Sequence, residues 1–190
     1  MKSNNVILAS ASPRRQELLK KIFPEFKIIP ADIDESYGGD ISATEVAQFL
    51  AEKKAEHISK MYPDSLVIGS DTTVVSGDII LGKPENETDA VRMLKLLSGN
   101  AHKVITGVSL FSGEFSYSFS ETTEVLFHEL SDSEIAGYIK TGEWSDKAGA
   151  YGIQGAAGAF VEKINGSFDN VVGLPCEKLK AVLKEKGFLN

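Results

Sequence analysis

The segment VILASASPRRQELL, residues 6 to 19, decides how the fold begins. Its first three residues are apolar and predict a short buried strand. Ser12 is a favoured helix N-cap and Pro13 suits the first helical position, so a helix is predicted to begin at Pro13. Arg14 and Arg15 then fall in the first helical turn, where free N–H groups already form a positive pole and further cations are disfavoured.

A bound anion would explain why two arginines occupy this turn. A phosphate group at a helix N-terminus is held by backbone N–H groups, and the guanidinium groups of Arg14 and Arg15 would add to that attraction. Alternatively, both side chains simply face solvent. The segment alone does not separate these two interpretations.

Composition limits the classes of function. The chain has 190 residues, a hydrophobic content of 42% and a net charge of −7, which argues against a broad nucleic-acid or acidic-membrane surface. Any anion must therefore meet a local basic pocket. No apolar run approaches the roughly 20 residues of a membrane span, and no signal-peptide core is present. A single cysteine, Cys176, excludes an internal disulfide, and the three histidines lack metal-ligand spacing. We expect a cytoplasmic protein.

Apolar periodicity predicts interspersed strands and helices. Residues 42–45 have the form of a capping box and open a helix to about Met61, with Lys54 on the face that begins apolar. Lys54 either lies at the edge of the core or reaches into a cleft. Further helices are predicted from Asn86, from Ser131 to about Gly142, and after Pro175. Strands are predicted at 65–70, 74–75, 79–80, 102–110, 115–119, 122–127 and 160–164. The hairpins exclude a purely parallel sheet, so the fold class is α/β with a mixed sheet and flanking helices.

Three further segments contain residues suited to chemistry. Asp71 is predicted at or near the end of the strand 65–70, where it would serve as a general base or metal ligand, or only as a backbone cap. Lys83 precedes a proline, which suits a held cation and equally a simple turn. Seven of the 17 glycines lie between Gly142 and Gly173, which indicates close backbone approach or, alternatively, a disordered linker.

With these residues in place, the chain resembles the Maf family of nucleoside triphosphate pyrophosphatases. The matching motifs occur in family order along almost the whole chain. They are LASASPRR (8–15), GSDT (69–72), GKP (82–84), LSG (97–99), VITG (104–107), DKAGAYGIQG (146–155) and VGLP (172–175).

The resemblance implies a fold, an activity and residue roles. The fold would be one Maf-like domain, residues 1–190, with two lobes around a central cleft, similar to the inosine-triphosphate pyrophosphatases (Maf/Ham1). The activity would be hydrolysis of dTTP and UTP, with modified pyrimidine nucleotides as further candidate substrates, to the nucleoside monophosphate and inorganic diphosphate (pyrophosphate). Asp71 takes the position of the family's catalytic proton acceptor. Arg14, Thr72 and Gln154 take the positions that set base preference. The resemblance also suggests a homodimer.

Cleavage between the α- and β-phosphates requires about four negative charges to be neutralised and a water to be activated. Ser12, Arg14, Arg15, Lys54 and Lys83 are the candidate phosphate-binding residues. Glu35 and Asp71 are the candidate ligands of Mg²⁺ or Mn²⁺, with Asp34 as a neighbour that shares or replaces Glu35.

Alternative functions remain open at this point. The chain would catalyse the same reaction with a different base preference, or it would act as a nucleotide-sensing regulator of cell division. The carboxylate among the cations favours catalysis, because a sensor needs the cations but not the base. Nucleic-acid binding is disfavoured by the charge.

Overall fold

The computed structural model describes residues 5–39 and 41–189. Within these residues the strands are β1 (Val6–Leu8), β2 (Lys27–Ile28), β3 (Leu66–Ser76), β4 (Ile79–Leu81), β5 (Ala101–Ser112), β6 (Phe115–Phe127) and β7 (Val161–Asn165). The helices are α1 (Pro13–Lys20), α2 (Ala43–Ser59), α3 (Glu87–Leu97), α4 (Asp132–Ile139), α5 (Phe168–Val172) and α6 (Cys176–Glu185). Short 3-10 turns cover Ala148–Ala150 and Ala156–Phe160.

The strands form one mixed sheet in the order β2-β1-β3-β5-β6-β7, with β4 paired to β3. Strand β1 is parallel to β2 and β3, whereas β4 is antiparallel to β3 and β7 is antiparallel to β6. The predicted α/β class with a mixed sheet is therefore confirmed.

Local capping signals place the helix starts where the sequence predicts them. The Ser12 hydroxyl accepts a hydrogen bond from the Arg15 N–H, and Asn86 caps α3 by accepting from the Asp89 N–H. Ser42 and Ser131 both form complete capping boxes, with Glu45 and Glu134. Each side chain satisfies N–H groups that have no partner inside the helix.

Two predicted strand boundaries are wrong. Strand β3 does not end near Asp71 but continues to Ser76, so Asp71 lies within the strand. The residues after Asp71 are Thr72, Thr73, Val74 and Val75, whose β-branched side chains favour a continuing strand. Likewise, the strands predicted at 115–119 and 122–127 are one strand, β6.

The chain divides into two compact units. Unit 1 comprises Met1–Asp71, Thr106–Glu121 and Gly173–Asn190, and unit 2 comprises Thr72–Ile105 and Thr122–Val172. Unit 1 buries an aliphatic cluster that joins β1 and β3 to α2. Unit 2 has a core rich in aromatic rings, including Phe127, Tyr151 and Phe160.

No helix in the described part of the chain is long and apolar enough to cross a membrane.

Candidate active site

The N-terminus of α1 carries cations and no acid. Its first turn contains no Asp or Glu, and Arg14 and Arg15 both lie there, each half-buried. Most helices place acids at this end because the helix dipole is positive there. The predicted helix start, with Ser12 as N-cap and both arginines in the first turn, is present.

Arg15 is held by backbone and hydroxyl oxygens. Its Nε donates to the carbonyl oxygen of Gly173 at 2.9 Å, and its Nη1 donates to Ser10 Oγ at 3.4 Å. The Ser70 hydroxyl donates to the same Gly173 carbonyl at 3.1 Å, which ties the start of α1 to strand β3. Sequence reasoning missed the contacts of Ser10, Ser70 and Gly173, although all three lie in the motifs that carry the family resemblance.

The environment of Arg15 is electrostatically mixed. Burial of the guanidinium group lowers the pKa of Arg15 from its ordinary value, and the Arg14 charge adds to that effect, while Asp71 and Glu35 oppose it. Arg15 is thus near both carboxylates that the sequence singles out.

Helix α2 approaches strand β3 closely because Gly69 has no side chain. A Cβ at Gly69 would lie 2.9 Å from the backbone nitrogen of Ala55 and would collide with the Ala51 carbonyl. Gly107 of β5 faces the backbone of α2 at Ala47 in the same way. Residues i and i+2 of a strand share a face, so Asp71 faces the same side as Gly69, toward the helix.

This close approach brings Lys54 to two carboxylates. The Lys54 ammonium lies 2.6 Å from Asp71 Oδ1 and 2.8 Å from Glu35 Oε1. The Lys54 and Asp71 side chains are only 10% and 14% exposed, whereas Glu35 is 51% exposed. The prediction that Lys54 lies on the buried face of α2 is confirmed, and its charge is compensated by the two acids.

Asp34 has a different, local environment. Its carboxylate accepts hydrogen bonds from the Ser36 N–H at 2.9 Å and the Ser36 hydroxyl at 2.6 Å. These bonds lower the pKa of Asp34. Asp34 therefore stabilises a turn, and Glu35 is the acid of this pair that contacts Lys54.

Glu35 and Asp71 fit the donor chemistry of a small hard cation. Glu35 Oε1 and Asp71 Oδ1 contact the same Lys54 nitrogen, at 2.8 Å and 2.6 Å. The distance between these two oxygens is therefore less than twice 2.8 Å. Among residues 5–39 and 41–189, no group of three or more His, Cys, Asp or Glu side chains is suited to a metal ion. Two carboxylates with substrate phosphates and water are nevertheless a usual environment for Mg²⁺.

The candidate residues of unit 2 lie on turns and on strand β3. Lys83 is exposed, and the preceding residue, Gly82, accepts a hydrogen bond through its carbonyl from the Gly149 N–H at 3.0 Å. The GKP motif therefore contacts the glycine-rich motif. Thr72 directly follows Asp71 in β3 and is half-buried.

The glycine-rich segment that carries Gln154 is folded rather than a disordered linker. The Gly155 N–H donates to the Gly152 carbonyl at 3.1 Å, which makes residues 152–155 a tight turn. Within this turn Ile153 packs against the core of unit 2 and Gln154 is exposed. An exposed amide with one donor group and one acceptor suits the edge of a pyrimidine base.

Comparisons with known proteins agree with these features. A family model described as Maf-like protein matches residues 5–186. A dTTP/UTP pyrophosphatase of a Geobacillus species is 48% identical over 183 residues, covering 96% of this chain and 98% of the relative. A dTTP/UTP pyrophosphatase of Koribacter versatilis is 46% identical, covering 97% of this chain and 95% of the relative.

Solved structures resemble the fold at low sequence identity. The Ham1 protein of Coxiella burnetii matches with a TM-score of 0.53 and 16% identity, covering 97% of this chain and all of that chain. The Staphylococcus aureus Ham1 protein matches with a TM-score of 0.52 and 13% identity, covering 96% of this chain and all of that one. These matches confirm the predicted Ham1-like fold. The family model spans nearly the whole sequence and the curated relatives share almost half of it, so this chain belongs to the Maf family.

Proposed function

We propose that this chain hydrolyses dTTP and UTP to the nucleoside monophosphate and pyrophosphate. The contact of Lys54 with both Asp71 and Glu35 is the observation that carries this proposal. It assembles a candidate base, a cation and a second carboxylate near an arginine-bearing helix N-terminus. The relatives named dTTP/UTP pyrophosphatase support the choice of substrates.

Asp71 is the proton acceptor in this proposal. It removes a proton from a water molecule as the water oxygen attacks the α-phosphorus. The bond between the α-phosphorus and the bridging oxygen breaks, and pyrophosphate leaves with the electron pair of that bond. The ion pair with Lys54, at 2.6 Å, fixes the orientation of the Asp71 carboxylate. No covalent intermediate is required.

The cations of the chain neutralise the triphosphate. In this proposal Ser12, Arg14 and the N–H groups of α1 bind one phosphate group, as anions bind at other helix N-termini. Arg15 donates hydrogen bonds to the Gly173 carbonyl and the Ser10 hydroxyl, so in this proposal it contributes positive charge and supports the neighbouring loop. Lys54 supplies a further positive charge beside Asp71. For Lys83, phosphate binding is a prediction from its motif.

A divalent cation belongs to the proposal as a cofactor. Glu35 and Asp71 would hold Mg²⁺ or Mn²⁺, which when bound would supply Lewis-acid stabilisation of charge on the phosphate oxygens. Glu35 is the more exposed of the two carboxylates. Its side chain can rotate away from Lys54 while its own charge stays in contact with solvent.

Gln154, Thr72 and Arg14 are proposed to set the base preference. The amide of Gln154 matches the O4 acceptor and N3–H donor shared by uracil and thymine, and it does not match the donor that cytosine carries at position 4 in the same orientation. If Gln154→Glu left the ratio of UTP to CTP turnover unchanged, this role would be wrong.

Pyrophosphate release tests the reaction, the base preference and the metal together. The substrates are dTTP, UTP, CTP and 7-methyl-GTP, each with Mg²⁺, with Mn²⁺ and with a chelator. We expect release from dTTP and UTP only when a metal is present. Efficient turnover of another base would favour a different preference, and tight binding with no turnover would favour a nucleotide sensor. The cytoplasmic location, the homodimer and the division of one domain into two lobes stay predictions.

A further inference from the structure

The turn that carries Gln154 is fixed at its C-terminal end by a distant acid. Glu143 Oε2 accepts a hydrogen bond from the Ala156 N–H at 3.0 Å, thirteen residues along the chain. A bond from a neutral donor to a charged carboxylate is roughly twice as strong as one between neutral groups. Ala156, two residues after Gln154, is therefore held by the Glu143 carboxylate.

Gly155 makes this contact sterically possible. A Cβ built on Gly155 would collide with the same carboxylate, approaching Glu143 Cδ to 2.9 Å. The φ angle of Gly155 is −99°, a value that residues with side chains adopt readily. A side chain at position 155 would therefore displace the Glu143 carboxylate, and glycine leaves the space that this carboxylate occupies.

Glu143 is itself anchored through its backbone. Its N–H donates to Thr141 Oγ1 at 3.2 Å, and its carbonyl accepts from Lys147 Nζ at 2.6 Å. The Lys147 side chain crosses Gly152, the first residue of the turn, where a Cβ would lie 2.7 Å from Lys147 Cδ. Both ends of the 152–155 turn are thereby supported by one segment, residues 143–147.

We propose that Glu143 is a positioning residue for base recognition, because its bond to Ala156 holds the turn that presents Gln154. This inference rests on the proposed function, since it assigns to Glu143 the precision with which Gln154 meets the base. Glu143 acts through the turn and does not itself contact the substrate. The amide of Gln154 discriminates among bases only while its orientation is fixed, because a mobile amide can offer a donor or an acceptor to any base.

Three variants separate this role from a general structural one. Glu143→Ala removes the acceptor, and we expect the UTP to CTP ratio of kcat/KM to fall on the order of 10-fold, with a raised KM for UTP and kcat within about 3-fold. Glu143→Gln keeps an oxygen acceptor and should retain the ratio within about 3-fold. Glu162→Ala, which removes an exposed glutamate from β7, is the charge control and should match the unsubstituted chain.

A double-substitution cycle tests whether Gly155 and Glu143 act together. Gly155→Ala alone forces the carboxylate away and should reduce the ratio as Glu143→Ala does. In the Glu143→Ala background the added methyl has room, so Gly155→Ala should cause little further loss. Independent effects of the two substitutions would multiply instead and would overturn the proposal.

Hydrogen exchange of residues 152–158, followed by mass spectrometry, gives a readout that does not depend on activity. Exchange should accelerate in Glu143→Ala and Gly155→Ala and stay unchanged in Glu143→Gln. Unchanged exchange in Glu143→Ala overturns the proposal, as does faster exchange with an unchanged base ratio. An unsubstituted chain that releases no pyrophosphate from UTP would overturn the proposed function and this inference together. An active chain whose Glu143→Ala variant keeps its base ratio would overturn this inference alone.

Discussion

Lys54 is buried with its charge compensated by two acids from different parts of the chain. Burying an ammonium group is costly unless it is paired and hydrogen-bonded, and Asp71 and Glu35 meet both conditions. Removing one partner leaves the other in place. The arrangement therefore tolerates movement of the exposed Glu35 while Asp71 stays fixed, which suits a site in which one carboxylate must adjust to a ligand.

Replacing Asp71 with asparagine should abolish most of the activity without unfolding the chain. The amide oxygen can still accept a bond from Lys54, which also keeps its contact with Glu35, but the amide is too weak a base to accept a proton. We expect kcat to fall on the order of 10²–10⁴-fold, measured by pyrophosphate release from UTP.

The control for this substitution is Asp78→Asn, at the exposed turn between β3 and β4, which should leave kcat unchanged. Circular dichroism should show the same fold in both variants. Full activity in a folded Asp71→Asn variant would remove Asp71 from the role of proton acceptor.

His102 makes the stability of the chain depend on pH. It is 2% exposed, shares a 2.8 Å hydrogen bond with the Tyr151 hydroxyl, and has a pKa lowered to about 4 because burial penalises the charged ring. An unfolded chain binds the proton near pH 6.5, so the unfolded state holds more protons between pH 6.5 and about 4. Acidification in that window therefore favours unfolding.

Between pH 7 and pH 5 this single group should lower the free energy of unfolding by about 2 kcal/mol. Urea titrations at the two pH values measure the change. In the double variant His102→Leu with Tyr151→Phe, which removes both the titrating ring and the hydroxyl that bonds to it, the loss should be smaller by about that amount. An equal loss in the variant and the original chain would show that His102 does not carry the effect.

The packing of α2 on the sheet depends on one glycine in β3 and one in β5. Gly69 and Gly107 both face the α2 backbone, and neither leaves space for a methyl group. The sequence places Gly69 in a motif beside Asp71, but the pattern of apolar residues does not indicate which helix covers it. The identity of the covering helix depends on the tertiary path of α2. Lys54 reaches Asp71 only because α2 lies directly against β3 at Gly69.

Gly69→Ala should destabilise the chain by about 1–3 kcal/mol and lower kcat, because the added methyl pushes α2 and Lys54 away from β3. Glycine-to-alanine substitution at Gly137 is the control, and its expected effect on the free energy of unfolding has the opposite sign. Gly137 lies in α4 with no atom within 4 Å of an added Cβ, so alanine there should stabilise the chain by roughly 0.5–1 kcal/mol.

Thermal unfolding, with and without UTP in the presence of a chelator, measures the stability of both variants, and pyrophosphate release from UTP with metal measures their kcat. If Gly69→Ala proved as stable and as active as the original chain, the close approach of α2 would not be what places Lys54.

The molecule as a whole is acidic and yet is proposed to bind a ligand with about four negative charges. With a net charge of −7, attraction must come from the local cations at the start of α1 and at Lys54 rather than from the overall field. A ligand that binds only the folded state should stabilise it by an amount that rises with the logarithm of ligand concentration once the concentration exceeds Kd.

A UTP analogue with a methylene group between the α- and β-phosphates should raise the melting temperature. At about 100 times its Kd it would add about 2.7 kcal/mol, equivalent to roughly 5–10 °C for a chain of this size. The shift, measured by differential scanning fluorimetry, should be lost in Arg14→Ala and retained in Glu162→Ala. No shift at millimolar analogue would contradict nucleotide binding at this site.

The sequence alone was sufficient for features that depend on neighbours within one or two turns. The N-caps Ser12, Ser42, Asn86 and Ser131 and the apolar spacing of the helices predict where helices begin, because each cap bonds to N–H groups three residues away. The strand ends were less predictable. The β-branched residues after Asp71 favour an extended backbone, but β3 continues to Ser76 because its last residues pair with β4, and this pairing is a tertiary contact.

The tertiary structure decided which chemical groups meet. Glu35 lies in the loop before α2, Lys54 in α2 and Asp71 in β3, and no local pattern states that one ammonium contacts both acids. Long-range contact of this kind depends on the distance between α2 and β3, which is set by the missing side chain of Gly69. The carbonyl of Gly173 is a second example, because a backbone oxygen has no signature in the sequence and acquires its role only when Arg15 and Ser70 are folded against it.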